Sequence, residues 1–269
     1  MKILATDLDR TLLPNGSWEA DEQAIKMFNE LTEKHNILVV YVTGRNLHLT
    51  ESAMKEFGVR YPGVLCGDVG TTIRKRENGK WTFDNGWSEH VRRASPRWDA
   101  TAIRDAIADV NGMREQESEH LNQFKQSYYV EIDKVDTVLE EVDALVKGKF
   151  DEVIVYSFDS QDNKGLIDFL PESATKQTAL EYVAEEYGTP KEDVVFCGDS
   201  GNDIFPLTAG FSGVLVRNAD AHLVENVKKA MQENPGLKVY FAKGDFKGLS
   251  GYYTSGVIEG AYHYGLLSD

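Results

Sequence analysis

Cysteine is scarce in this chain of 269 residues, which has only Cys66 and Cys197. Both end apolar runs that read as buried strands, where reduced thiols behave as small hydrophobes, so no disulfide is expected. Long hydrophobic runs are also lacking. The longest strictly apolar stretch, Ile37 to Val42, falls far short of the ~20 residues that a membrane helix needs. Positive charge is the minority sign: 29 Lys and Arg face 44 Asp and Glu, for a formal charge of −15. Such a field repels a phosphate backbone, which argues against a nucleic-acid partner. The six histidines are scattered, with no HExxH pair and no cysteines at zinc spacing, so zinc is not expected either. Met1 to Ala5 holds one lysine and too little apolar sequence for a signal peptide, and the expected location is the cytoplasm. The sequon Asn15-Gly16-Ser17 then reads as a glycine-containing turn and not as a glycosylation site. No internal repeat or low-complexity tract is visible, and nothing sets the oligomeric state, with which a monomer is compatible.

What is present is the balance of a folded, soluble protein: 41% hydrophobic, 27% charged and 10% aromatic residues. The length suits one large domain or two ordinary ones at ~100–200 residues each. Lys2 to Thr6 is a short β-prone run, and a helical pattern from Glu19 to His35 places Ala24, Met27, Phe28 and Leu31 on one face. Ile37 to Thr43 has the continuous apolar character of a parallel strand buried on both faces; Leu47 to Phe57 reads as a helix and Val64 to Cys66 as a third strand. Thr71 to Phe83 reads as a hairpin about Asn78-Gly79. Beyond Asp84 the rhythm changes to a helix near Ala100 to Val110, a strand from Gln123 to Ile132, a helix from Val135 to Lys147, and strands Glu152–Phe158 and Gly165–Leu170. Helix and strand then alternate to the end, with strands at Val194–Gly198, Gly213–Val216 and Val239–Phe241 and a last helix near Ser255–Tyr264. The expected fold is α/β: a Rossmann-like parallel sheet with helices on both faces, from residues 1–84 and 169–269, with an inserted α+β cap domain at 85–168.

In an open parallel sheet, ligands bind at the carboxyl ends of the strands. The first strand ends in Asp7-Leu8-Asp9-Arg10-Thr11 and the second in Thr43-Gly44-Arg45. The first resumed strand ends in Gly198-Asp199-Ser200-Gly201-Asn202-Asp203, and Lys176 stands near the start of the preceding helix. Four carboxylates, one hydroxyl and one ammonium therefore converge on one crevice. Carboxylates so crowded raise one another's pKa unless a cation intervenes, and all-oxygen ligands open to phosphate suit Mg²⁺. Thr43, Gly44 and the amides that follow are expected to open a helix and so to seat a phosphate, with Lys176 supplying charge and Asn202 counted in the same seat. Asp7 is then placed to attack phosphorus, while Asp9 protonates the leaving oxygen and later deprotonates water. Each signal alone is weak, but their combination in this order is hard to produce by accident.

These four elements resemble the four motifs of the haloacid dehalogenase superfamily of phosphatases. Within it, the chain is most similar to the sucrose-phosphate phosphatase group, which includes mannosylfructose-phosphate phosphatases. The likeness is carried by Phe124-Lys125-Gln126-Ser127-Tyr128-Tyr129, Asp168-Phe169-Leu170-Pro171, Cys197 to Ile204, Val214 to Ala219, and Ser255 to Gly260. The resemblance implies Asp7 as nucleophile, Asp9 as general acid and base, and Thr43 and Lys176 on the phosphate. It also implies Mg²⁺ held by Asp7, the Asp9 carbonyl and Asp199, with Asp203 in support. Lys125, Ser127, Gln123 and Lys164 fall at or near positions where the family's cap contacts sugar. Arg10 stands where many members have glycine.

The expected activity is thus Mg²⁺-dependent hydrolysis of a sugar phosphate, foremost a disaccharide phosphate. Two alternatives stay open: a broad hexose-phosphate phosphatase of the same superfamily, and a non-enzymatic phosphate-sensing module. The latter ranks low, because receiver-like modules accept phosphate on the third strand and are far shorter.

Overall fold

The computed structural model describes residues 1–159 and 164–269. The chain divides into two compact units, Met1–Asp84 with Lys176–Asp269, and Asn85–Thr175. The first unit begins with β1 (Ile3–Thr6), α1 (Ala24–Lys34), β2 (Leu38–Val42), α2 (Leu47–Phe57), β3 (Val64–Gly67), β4 (Thr72–Glu77) and β5 (Lys80–Phe83). The second holds α3 (Asn85–Ala94), α4 (Ala100–Ala106), β6 (Met113–Glu115), β7 (Gln126–Val130), α5 (Val135–Val146), β8 (Glu152–Asp159) and β9 (Lys164–Pro171). The first unit resumes with α6 (Lys176–Glu186), β10 (Val194–Gly198), α7 (Ile204–Thr208), β11 (Ser212–Leu215), α8 (Ala221–Glu233), β12 (Lys238–Phe241) and α9 (Thr254–His263).

The eight strands of the first unit lie in the order β12-β11-β10-β1-β2-β3-β4-β5. The run from β12 to β3 is parallel, and β4 and β5 join antiparallel. Ile3, Leu4 and Ala5 of the central β1 are fully buried, which is why this strand is apolar without alternation. The hairpin turns at Asn78 and Gly79, both at positive φ (49° and 79°), as a two-residue turn between twisted strands requires. In α9, a Cβ on Gly256 or Gly260 would lie 2.4 Å from the Gly251 carbonyl or the Val214 side chain. Small residues four apart thus let this helix lie directly on the sheet. Helix α1 begins at Ala24 and not at Glu19 as its periodicity suggests. Asp21 instead accepts hydrogen bonds from the Ser250 amide and hydroxyl (2.8 and 2.7 Å), which tie the preceding segment to another loop.

The second unit is an antiparallel sheet in the order β6-β7-β9-β8. Its core joins Ile103 and Ile107 with Val138, Val142 and Val146, four apart on α5, and with Tyr128, Val130, Ile167 and Phe169. Period-two alternation then puts Ser127 and Asp168 on the opposite sheet face. Helix α3 and strand β6 are elements that the reading of the sequence did not assign, and β7 starts at Gln126 and not at Gln123. The second junction lies after Thr175 and not at 168, because β9 runs on to Pro171 as one strand of this sheet.

Candidate active site

Three parallel strands, β1, β2 and β10, deliver polar side chains from their carboxyl ends in the first unit. Asp7 follows β1 directly; its amide still donates to the Cys197 carbonyl (2.9 Å), so the sheet ladder fixes its backbone. Lys176 opens α6 and is 1% exposed. Its ammonium contacts Asp7 Oδ2 at 2.9 Å, Asp203 Oδ1 at 2.8 Å and Asn202 Oδ1 at 2.8 Å. All three of its protons are thereby engaged. Burial by itself would lower this ammonium's pKa, but Asp203 and Asp7 more than reverse that.

Asp203 is held on both sides. Its Oδ1 takes Lys176, and its Oδ2 accepts from the Asp199 and Ser200 amides at 3.0 and 3.1 Å. A Cβ on Gly198 would sit 2.6 Å from this carboxyl group, so glycine is what the turn after β10 admits. Asp199 has no exposure; its Oδ1 accepts from the Thr11 hydroxyl at 2.6 Å. Its Oδ2 is buried without a hydrogen bond, and Arg10 Nε approaches it at 3.4 Å. Oxygens of Asp7, Asp199 and Asp203 all lie within 4.8 Å of one another. A buried carboxylate oxygen that takes no hydrogen bond, within an all-oxygen cluster, fits a hard divalent cation, and this cluster could hold one. Burial, with Asp203 and Asp7 adding repulsion, raises the Asp199 carboxyl. Burial likewise pushes Asp7 up to about 7, against the pull of Lys176 and with Asp203 and Asp9 adding to the rise.

Asp9 faces different partners. Arg45 grips it with two hydrogen bonds, Nε to Oδ2 at 2.8 Å and Nη2 to Oδ1 at 2.6 Å, and Asn15 Nδ2 donates to Oδ1 at 2.6 Å. Burial would raise this carboxyl, but Arg45 and Asn15 hold it below the usual range. Asn15, first read as part of a turn, therefore has a partner in the candidate site. Its Oδ1 also accepts the Arg10 amide at 2.7 Å. Arg10 has φ 58°, a conformation that favours glycine; its guanidinium pairs with Asp220 at 2.7 Å, and its carbonyl accepts from Asn218 at 2.6 Å.

Thr43 is fully buried at the end of β2, with its amide on the Cys66 carbonyl and its Oγ1 accepting from the Arg45 amide at 3.2 Å. It does not open a helix as expected. Helix α2 starts at Leu47 and is capped by Asn46, whose side chain accepts from the Leu49 amide at 2.9 Å. The Thr43-Gly44 segment is a loop, separate from the helix end.

In the second unit, Lys125 and Ser127 converge on Asp168. Ser127 Oγ donates to Asp168 Oδ1, and Lys125 Nζ lies 3.6 Å from the same oxygen. All three residues are buried. Lys125 precedes β7, in a two-way backbone bridge with Asn122. Gln123 has another partner, its Oε1 accepting from Arg92 at 2.8 Å. Lys164 lies apart, 5.1 Å over the Tyr129 ring in a cavity of about 380 Å³ shared with Arg114 and Glu131. Sequence reasoning assigned no role to Arg45, Asn15, Arg10 or Asp168. Arg45, Arg10 and Asp168 did stand in the motifs it quoted, but the part played by Asp168 depends on the cross-strand pairing of Ser127 with Asp168.

Comparison with known proteins places the chain in a family. The profile of the sucrose-6F-phosphate phosphohydrolase family matches residues 1–265. A HAD-like hydrolase of Nitrosococcus oceani is 34% identical over 97% of this chain and 71% of its own length. Sucrose-phosphatase 2 of Nicotiana tabacum is 26% identical over 87% of this chain, which spans only 54% of that relative. Mannosylfructose-phosphate phosphatase of Agrobacterium fabrum is 27% identical over 99% of this chain and 98% of its own. The solved sucrose-phosphatase of Synechocystis sp., in complex with sucrose and phosphate, shares the fold with a TM-score of 0.80 at 24% identity, covering 99% of both chains. Among the described residues, no helix is long and apolar enough to cross a membrane. The chain belongs to the sucrose-6F-phosphate phosphohydrolase family of haloacid dehalogenase-type phosphatases.

Proposed function

We propose that this enzyme hydrolyses a disaccharide phosphate such as sucrose-6-phosphate, with Mg²⁺ and through an aspartyl phosphate on Asp7. One observation carries the reading: Asp7 is pinned by Lys176 in one cluster with Asp199, whose Oδ2 takes no hydrogen bond. Asp7, Asp199 and the Asp9 carbonyl would hold the cation. Asp203, with both oxygens occupied, positions Lys176 and the turn after β10. Bound Mg²⁺ supplies positive charge against the carboxylates and the phosphate oxygens.

An Asp7 oxygen attacks phosphorus, the bond from phosphorus to the sugar oxygen breaks, and Asp9 gives that oxygen a proton. Water then attacks the phosphorus of the aspartyl phosphate, Asp9 takes its proton, and Asp7 is restored as phosphate leaves. Thr43, Gly44 and Asn202 would form the phosphate seat, to which Lys176 supplies charge while it holds Asp7 and Asp203. For Asp9 to serve, its carboxyl must leave Arg45, and the arriving phosphate is an anion for which a guanidinium exchanges readily.

We assign the choice of sugar to the second unit as its cap, with Lys125 and Ser127 as the contacts and Asp168 as their anchor; Gln123 and Lys164 contribute from separate positions. The mannosylfructose-phosphate phosphatase matched over nearly its whole length supports a disaccharide over a monosaccharide. The two buried, unpaired thiols fit a reducing compartment, and we place the enzyme in the cytoplasm. The test is phosphate release across mono- and disaccharide phosphates with Mg²⁺ or EDTA. A disaccharide phosphate should be the best substrate, and EDTA should abolish turnover. Equal rates on hexose phosphates would favour the broad hexose-phosphate phosphatase, and full activity after chelation would remove the metal from the account.

A further inference from the structure

Trp18 is 54% exposed, and among the described large hydrophobic residues only Met1 is more so. A single exposed aromatic is ordinary, but this one is held in a built position. Its ring stacks on Tyr252, with centroids 4.8 Å apart and planes at 15°. The Arg217 guanidinium lies 5.0 Å over the same Tyr252 ring and is fixed by a hydrogen bond from Nη1 to the Ser250 carbonyl at 2.9 Å. The Trp18 amide donates to the Tyr253 hydroxyl at 2.9 Å. Tyr253 is buried at φ 49°, a backbone conformation that L side chains rarely adopt, and its amide donates to Asn218 Oδ1 at 2.9 Å. A Cβ on Gly16 would come within 2.6 Å of the Tyr253 hydroxyl, so this close approach depends on glycine. Backbone strain of this kind persists where the surroundings over-determine it, and it clusters at ligand sites.

The position matters as much as the construction. Asn15, which bonds Asp9, is three residues before Trp18, and three residues span at most about 11 Å. Asn218, next to Arg217, bonds the Arg10 carbonyl. The stack thus grows from the same loops that hold the candidate acid. One face of the indole is covered by Tyr252, so its exposure belongs to the remaining face and edge. A flat apolar surface of this kind matches a pyranose or furanose ring, which offers C–H groups on its face.

We propose that Trp18, held in place by its stack on Tyr252, is a binding platform for a sugar ring of the substrate. This rests on the sugar-phosphate reading and adds to it a contact made by the first unit. The test uses the full chain and two readouts. Intrinsic tryptophan fluorescence is titrated with free sucrose in the wild type, Trp18→Ala and Trp18→Tyr. KM and kcat are measured for sucrose-6-phosphate and p-nitrophenyl phosphate in the same three proteins. Trp18→Ala should raise the KM ratio of the sugar phosphate to the aryl phosphate by about 3- to 10-fold, with the change in KM and not in kcat, and should abolish a saturable fluorescence response. Trp18→Tyr should restore the ratio. An unchanged ratio, or equal losses on both substrates, would overturn the platform. Should the wild type hydrolyse no disaccharide phosphate, the substrate reading fails by itself, and the titration decides the platform: a response to sucrose that survives in Trp18→Ala overturns it, and one lost there supports it.

Discussion

Two lysines, one in each unit, are almost equally buried yet placed very differently. Lys176 is 1% exposed and makes three contacts at 2.8 to 2.9 Å, two of them to carboxylates. Lys125 is 4% exposed, and its nearest carboxylate oxygen, on Asp168, is 3.6 Å away and already takes the Ser127 hydroxyl. A buried ammonium with every proton engaged is a fixture whose charge sets the state of its neighbours. One with a loosely held partner keeps donors for a ligand and can be replaced with less damage. Under the proposed function, the contrast separates a centre that would serve all phosphate esters from a cluster that would choose among them.

The harshest way to probe the first of these regions is Asp7→Asn. Turnover should fall by ~10⁴-fold or more on every substrate while the circular-dichroism spectrum is retained, since the nucleophile is lost and the shape is not. Asp9→Asn should cost ~10²–10⁴-fold on a sugar phosphate but much less on p-nitrophenyl phosphate, whose leaving group needs no proton. An equal loss on both esters would deny Asp9 its role as an acid.

Lys176→Met tests the fixture. Leaving Asp7 and Asp203 without their cation should destabilise the fold by about 3–5 kcal/mol, read from urea midpoints, with Mg²⁺ recovering part of the loss. The same cluster dictates a pH dependence. In metal-free protein, Asp7 titrates near 7 when folded and near 3.8 when unfolded, so between these values only the folded state keeps its proton. Its contribution is complete below pH 3.8 and is lost as pH rises through 7. Asp199 shifts in the same direction. Tm in EDTA should therefore fall across this window, less steeply in Asp7→Asn, and Mg²⁺ should flatten the fall.

The smallest effect belongs to the second region. Lys125→Ala should lower kcat/KM for a disaccharide phosphate by about 1–3 kcal/mol relative to p-nitrophenyl phosphate. A loss shared by both substrates would place Lys125 outside sugar recognition and merge the two regions into one.

How far the sequence reads depends on whether a feature is local. Strands β1, β2 and β10 and the carboxylates that follow them were legible because an apolar run ending in Asp or Thr is written in consecutive residues. Helix α3 was not: its buried Trp87, Ser88 and Val91 sit in a polar segment next to Gly86, and the helix starts directly after the hairpin. At three residues, β6 is too short to show a period. The Arg45 grip on Asp9 spans 36 positions, and the Lys176 pairing with Asp203 spans 27. Such contacts are decided by sheet order and side-chain rotamers, which no local pattern encodes. The same holds for Asp168, which meets Ser127 through the register of β7 on β9.

The central claim is that Asp7 carries the phosphoryl group. Acid quenching of the enzyme during turnover of a ³²P-labelled sugar phosphate with Mg²⁺, followed by peptide mapping, tests it most directly. The account predicts a hydroxylamine-labile label on the peptide containing Asp7, absent in Asp7→Asn and in EDTA. A label on another residue, or wild-type turnover in Asp7→Asn, would contradict it.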